Sequence, residues 1–392
     1  MKNNLNLDFY KNLIYKKSNW HLLNILLKIL SFFYIFLLFS RNLLYKIGIL
    51  KIFKVEYIFV ISVGNITTGG TGKTPILLKI IDILKKNILK KEIKSKNIAV
   101  ISRGYKRKSK NIKIITPLNL KNENLRIEEI GDEPFMIRKR EPEIFLGIGG
   151  NRKKVIQELL NISKNEIKYI ILDDVFQKIS IYKNLNIILI DVSANFLFFQ
   201  DFILPRGTLR EPIENIKKAD FIILTKTNLA EHNKIKKTIE KLNDFGFNKN
   251  NIILSEYIPS YFLNFDNHKI EIKDFFKKES KSNILTAIGN PSSFEKTIKN
   301  LDFEGNLNIL HKYFFADHHW FKKENLIKAI SNCDYVLTTE KDFVKIKELI
   351  NTESIYFSKF DASKFYCLIM ETKFDDFKFL DKIKEIKSKQ KG

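Results

Sequence analysis

Two kinds of apolar run divide the chain. The first, from Trp20 to Leu44, is apolar except for Lys28 and a few polar residues, and Lys16, Lys17, Arg41 and Lys46 flank it. His21, Asn24 and Lys28 leave an unbroken stretch only from Ile29 to Phe39, whereas a spanning helix needs about 20 apolar residues. The segment therefore reads as a monotopic helix lying in a membrane interface, its basic flanks on anionic headgroups. A spanning helix and a buried core helix are the other two readings. No small-x-small cleavage site follows the run, which argues against a secretory leader.

The second kind begins after Val55, where short β-branched runs alternate with helical stretches: 57–64, 97–104, 143–149, 167–174, 185–191 and 219–227. Strands apolar on every position are buried on both faces, as in a parallel sheet covered by helices. The pattern predicts an α/β fold with a mostly parallel sheet of the P-loop kind. In such open sheets ligands bind beyond the carboxyl ends of the strands, where Gly64, Arg103, Asp173 and Asp191 fall. After Glu256 an irregular crossing or β-ribbon leads into a renewed strand–helix rhythm, so three segments are expected: a helical membrane-binding segment (1–50), a P-loop domain (51–255) and a smaller α/β domain (256–392). The last residues, KIKEIKSKQKG, are charged and expected to fray.

Charge adds less than its size suggests. The formal net charge is +24, which favours anionic partners, but Lys, Asn and Ile are abundant in every segment. Aromatic residues concentrate in the apolar runs rather than interleaving with Lys and Arg as a nucleic-acid stacking platform would, so no nucleic-acid partner is expected. Cys333 and Cys367 sit in apolar runs without metal-ligand spacing and read as reduced core residues.

The chemistry starts at SVGNITTGGTGKTP, 62–75. Thr68, Gly69, Gly70, Thr71, Gly72, Lys73 and Thr74 form a glycine-rich turn between a buried strand and a helix start. There backbone N–H groups and the helix N-terminus can cradle phosphate. Lys73 would reach the β- and γ-phosphates and the Thr74 hydroxyl would ligate Mg²⁺. The usual first glycine is replaced by Thr67, so the opening turn is expected to be made by the Asn65 or Thr67 side chains. Asp173 and Asp174 end an apolar strand, where a carboxylate can hold Mg²⁺ directly or through water.

Further polar blocks occupy 102–109, 131–137, 173–177, 204–212, 316–321 and 338–345. Together with the loop they resemble, in order and over nearly the whole chain, the tetraacyldisaccharide 4'-kinase family. The resemblance implies an enzyme that uses ATP and Mg²⁺ to phosphorylate the 4'-hydroxyl of the lipid A precursor, a disaccharide 1-phosphate. It implies work at the cytoplasmic face of a Gram-negative inner membrane, with a C-terminal domain closing over the site. It also carries roles onto residues: Lys73 and Thr74 as the P-loop pair, Asp173 and Asp174 near Mg²⁺, Asp132 as the base for the sugar hydroxyl with His318 as its partner. Arg103, Arg210 and Glu211 fall on positions that would position substrate phosphate or brace the loops. His319 is an alternative to His318.

Three departures stand out. Val175 replaces a glycine and Lys178 a histidine in DDVFQK, and Arg206 stands where a small residue is common. Val adopts positive φ only at a cost, so the turn after Asp174 must differ or never have needed it. The competing functions are a membrane-associated P-loop ATPase of the targeting or partitioning kind and a basic nucleic-acid-dependent ATPase. Neither needs a base aimed at a sugar hydroxyl.

Overall fold

A computed structural model describes residues 21–68, 71–87, 94–105, 107–117, 125–194, 201–352 and 360–389. Gly69 and Gly70 of the expected phosphate loop, and the Lys16 and Lys17 flank, lie outside the described residues.

The buried apolar runs form an eight-stranded sheet. In chain order its strands are β1 (Phe59–Asn65), β2 (Ile98–Ser102), β3 (Lys113–Ile115), β4 (Phe145–Ile148), β5 (Tyr169–Asp173), β6 (Leu185–Asp191), β7 (Phe221–Thr225) and β8 (Ile252–Leu254). The spatial order is β3-β4-β2-β5-β1-β6-β7-β8. All neighbours are parallel except β3, which runs antiparallel to β4. β1, at the centre, is buried at every position, so Phe59, Val60, Ile61 and Val63 each contribute roughly 1.5–3 kcal/mol by leaving water whichever face they occupy. Helices α2 (Lys73–Asn87), α3 (Asp132–Arg140), α4 (Arg152–Ser163) and α5 (His232–Asp244) belong to this sheet. β3 and β8 are three residues each, too short to leave a run legible in the sequence.

A six-stranded sheet follows, in spatial order β10-β9-β14-β13-β11-β12. Its strands are β9 (Glu256–Leu263), β10 (Lys269–Glu271), β11 (Ser280–Thr286), β12 (Leu307–Phe314), β13 (Tyr335–Thr339) and β14 (Phe365–Lys373). The stretch after Glu256 is the antiparallel ribbon β9–β10, and β9 also pairs antiparallel with β14. Helices α6 (Pro291–Leu301), α7 (Lys323–Ile330) and α8 (Glu340–Thr352) cover it. The C-terminus departs from expectation. Residues 382–389 of the stretch expected to fray belong to α9 (Asp376–Lys389), which returns to the large sheet and buries Phe379 and Ile383 in its core, with Phe379 stacked on Phe221; 390–392 lie outside the described residues. Phe379 and Ile383, four apart, share its inner face, while Asp381, Lys384, Glu385 and Lys389 are exposed.

Helix α1 (His21–Lys46) is the one helix among the described residues long and apolar enough to cross a membrane. One stripe of it docks on the large unit: Leu27, Ser31 and Leu38 are buried. Ser31 donates to the Ile203 carbonyl (3.0 Å), Tyr34 to the Arg210 carbonyl (2.9 Å), and Arg41 pairs with Glu211 (2.9 Å). Spacings of three and four place these residues on one face. Phe32, Phe33, Phe36, Leu37 and Phe39 on the rest of the circumference are exposed.

Candidate active site

The phosphate loop begins where β1 ends. Gly64 lets the strand approach its neighbour: a Cβ there would meet Phe176 Cβ at 2.7 Å. The opening turn is then made by side chain and by strand pairing. Asn65, fully buried, donates through Nδ2 to the Thr67 carbonyl (2.5 Å). Thr67 forms an antiparallel bridge with Leu209, flanked by Thr68 N–H to the Thr208 carbonyl and Arg210 N–H to the Ile66 carbonyl, both 2.8 Å. The backbone is thus stapled to the 208–210 segment where a glycine would otherwise bend it. Gly72 takes φ +80°, with open space around its missing side chain, so conformation and not crowding requires glycine there.

Lys73 opens α2, and its ammonium sits 3.4 Å from Asn65 Oδ1 and 3.8 Å from Asp174 Oδ1. Thr74 follows it, half-buried in the first helical turn. Gln177 ties the two loops together by donating to the Asn65 carbonyl (2.7 Å).

The acidic pair at the end of β5 is split by its surroundings. Asp173 is buried; Oδ2 accepts from the Ser102 hydroxyl (2.8 Å), while Oδ1 is buried without a hydrogen-bond partner. Burial, then the nearby Glu133 charge, pushes its carboxyl up to about 7 against the pull of Lys73. Asp174 goes the other way. Burial would raise it, but Lys73 and Arg210 outweigh burial and hold it below the usual carboxylate range. Arg210 Nη1 lies 2.9 and 3.0 Å from its two oxygens. Asp174 itself takes the positive φ, +53°, which Asp tolerates better than Val. Val175 is fully buried. The Val-for-Gly departure is thereby explained: the left-handed residue is the one before it.

The other departures also find places. Lys178 donates to the Gly150 carbonyl (3.1 Å), and the Arg206 guanidinium lies 3.5 Å over the Phe202 ring.

Asp132 starts α3, after β3 in the chain, and its side-chain partners come from the second unit. His318 Nδ1 is 2.8 Å from Asp132 Oδ2, and Asp132 Oδ1 accepts from the Glu133 N–H (3.0 Å). Lys341 and Lys345, on one face of α8, stand 3.7 and 3.6 Å from Oδ2. Burial alone would raise this carboxyl; the His318 hydrogen bond and the two lysines override it and hold it far below the usual range. His318 Nε2 is 3.1 Å from Lys341 Nζ. A carboxylate can only accept and an ammonium can only donate, so the ring carries its hydrogen on Nδ1.

The His318 backbone is fixed as well. At φ +64° its N–H reaches the Ala287 carbonyl (3.2 Å), and the Ala287 N–H is held by fully buried Asp342 (2.9 Å). His319 is turned away, stacked on Phe315 at 4.6 Å. Of the two histidines, His318 is the one against Asp132.

The remaining expected residues divide. Arg103 is exposed at the end of β2, near enough to Arg152 and Lys178 to repel both. Arg210 is engaged with Asp174, whereas the buried Glu211 carboxylate is taken up by Arg41 of α1 and by Asn215 (2.7 Å). Four residues had no role assigned from sequence: Ser102, Arg152, Lys341 and Lys345. Arg152, buried at the start of α4, donates to the Gly149 and Asp173 carbonyls. Lys341 and Lys345 lie in the polar 338–345 block, and their four-residue spacing on a helix was the available signal. α8 is further locked to the first unit by Arg140–Glu340 (2.5 and 2.9 Å) and by Ile127 N–H to Glu348 (2.7 Å).

Residues 23–386 match a family model described as Tetraacyldisaccharide-1-P 4'-kinase. A tetraacyldisaccharide 4'-kinase from Flavobacterium psychrophilum is 34% identical over 331 residues, 83% of this chain and 88% of that protein. One from Aquifex aeolicus is 30% identical over 331 residues, 83% and 91% of the two chains. Among solved structures, LpxK from Aquifex aeolicus in complex with ATP superposes with a TM-score of 0.70 at 28% identity, covering 93% of this chain and 99% of that one.

Proposed function

The chain belongs to the tetraacyldisaccharide 4'-kinase family and is an ATP-dependent kinase of lipid A biosynthesis; we propose that Asp132 is its base and Lys73 its phosphate clamp. The acceptor is the 4'-hydroxyl of a tetraacyldisaccharide 1-phosphate. That oxygen bonds to the γ-phosphorus of ATP as the bond to the β,γ-bridging oxygen breaks, ADP leaves with the electron pair, and the hydroxyl proton passes to the Asp132 carboxylate. The observation that carries this reading is the 2.8 Å His318–Asp132 contact, joining the two sheets at a buried, ionised carboxylate.

Asp132 is a weak base, and phosphoryl transfer tolerates one. In a loose transition state the hydroxyl becomes strongly acidic only as its oxygen binds phosphorus, so a positioned acceptor suffices. Lys73, 3.8 Å from Asp174, would turn to the β- and γ-phosphates and offset their growing charge. Arg103, exposed at the end of β2, is a cation suited to the substrate's own phosphate, while Arg210 and Glu211 brace Asp174 and α1.

The residues fit a divalent ion. Asp173 offers a buried oxygen without a partner and a carboxyl raised by burial and by the Glu133 charge despite Lys73, and Thr74 sits in the adjoining turn. Asp174 would join them only if Arg210 yields. Mg²⁺ held there would neutralise charge on the bridging and terminal phosphate oxygens. We further propose that α1 lies in the inner-membrane surface at its cytoplasmic face. Its docked stripe runs its length and its other faces are apolar and exposed. The second unit then closes over the site by bringing His318 and α8.

The test is ATP turnover in detergent with and without a tetraacylated disaccharide 1-phosphate. The expected result is phosphate transferred to the lipid. Turnover indifferent to the lipid and stimulated by a protein partner or DNA would overturn the reading in favour of a partitioning-type or nucleic-acid-dependent ATPase.

A further inference from the structure

We infer that Lys341 is a positioning residue for phosphoryl transfer: by donating to His318 Nε2 it locks the imidazole in the form that hydrogen-bonds Asp132 and aims the carboxylate. The inference rests on the assignment of Asp132 as base.

Three acceptors surround this one ammonium. Lys341 Nζ lies 3.1 Å from His318 Nε2, 3.1 Å from Asp317 Oδ1 and 3.7 Å from Asp132 Oδ2. A neutral imidazole has one donor and one acceptor nitrogen, and which is which depends on what each faces. With Lys341 present, Nε2 must accept and Nδ1 must donate. Without it the lock on Nε2 is lost and the ring depends on its Nδ1–Asp132 contact, so that it can swing from the carboxylate and exchange its hydrogen between the two nitrogens.

A plain structural tie between the units would not need these contacts. The neighbouring Arg140–Glu340 pair already makes that tie with two hydrogen bonds, and none of the Lys341 partners is a backbone cap. A proton-relay role is also disfavoured. Although burial works against its charge, Asp132, Asp317 and Glu133 together raise the Lys341 ammonium above its ordinary range, so it keeps its proton and acts as a fixed cation. The other groups facing Asp132 are His318, with the Tyr105 ring edge-on to it at 5.4 Å, and Lys345. Lys345 is almost completely buried, 3.6 Å from both Asp132 and Asp342, and supplies charge without touching the imidazole.

The experiment compares the full-length enzyme with Lys341→Met, Lys341→Arg and Asp132→Asn, using steady-state kinetics with the lipid acceptor and ¹⁵N NMR of labelled histidine. Lys341→Met should lower kcat by about ten- to hundredfold with KM for ATP changed by less than about twofold. The His318 signals should move from hydrogen on Nδ1 toward a mixture of both forms. Lys341→Arg, which keeps a donor at the end of the side chain, should restore the Nδ1–H signal and part of kcat. An unchanged His318 spectrum in Lys341→Met overturns the inference, whether or not kcat falls, because a role in packing alone would leave the ring form untouched. If Lys341→Met shows no cooperative melt, Asp317→Asn replaces it: a smaller shift of the same sign supports the inference and none overturns it. Wild-type kcat in Asp132→Asn would instead remove the base assignment itself. An inactive Asp132→Asn beside a fully active Lys341→Met would remove only the role of Lys341.

Discussion

The two acidic centres of this molecule are both buried, and their surroundings drive them in opposite directions. At the phosphate loop Asp173 keeps one oxygen without a hydrogen-bond partner and its carboxyl is pushed up to about 7. Between the two sheets both Asp132 oxygens are engaged, and two lysines hold it ionised. Burial is the largest influence on Asp173 and on Asp132 and raises both; fixed cations reverse it at Asp132 and not at Asp173. The first centre is incomplete and suited to receiving positive charge with its ligand. The second is complete within the protein, and its completeness depends on the second unit.

The largest break in this comparison is at the cation of the incomplete centre. Lys73→Ala should reduce kcat by about 10³-fold or more, since loss of a cation on the transferred phosphate is costly in this chemistry. Steady-state assay with saturating lipid measures it. Asp132→Asn should cost about 10²-fold in kcat while nucleotide binding, followed by fluorescence or calorimetry, stays intact; equal loss of nucleotide binding would mean the two centres are not separable.

The same variant sharpens the contrast in pH. A carboxyl depressed in the folded state adds stability above its unfolded value of about 4 and loses it as pH falls toward the folded value. Thermal melts of the wild type should therefore fall more steeply below about pH 4 than those of Asp132→Asn. The smallest effect is expected from Ser102→Ala. It removes the donor to Asp173 Oδ2 and should lower the stability of metal-free protein by about 1–2 kcal/mol, a loss that Mg²⁺ with ATP should largely recover. Melting curves with and without Mg²⁺ and ATP would show it.

Much of this was legible because the physics was local. Short, continuous, β-branched apolar runs ending near Gly64, Arg103, Asp173 and Asp191 read as strands buried on both faces, and those strands are present. Lys73 and Asp174 could be anticipated as neighbours because the two adjoining strands, β1 and β5, end side by side. What the sequence hid were contacts between distant segments. The turn at Asn65 is completed by Leu209, the Val175 anomaly dissolves only when Asp174 is seen at φ +53°, and Glu211 is turned to Arg41 rather than to the phosphate loop. Lys341 and Lys345 lie in a block marked only as polar, because nothing in a single chain segment announces that its charged face will meet the buried carboxylate of Asp132.

Helix α9 carries a consequence for how such a protein comes into being. The large sheet is built from residues up to Leu254, yet Phe379 and Ile383 belong to its core and reach it only after the chain has traversed the whole second unit. During synthesis the first unit therefore emerges with an apolar patch uncovered until residues 376–389 arrive, and an unfinished core of that kind is where a nascent chain associates with its neighbours. A helix made only after the whole second unit is thus the one that closes the core of the first.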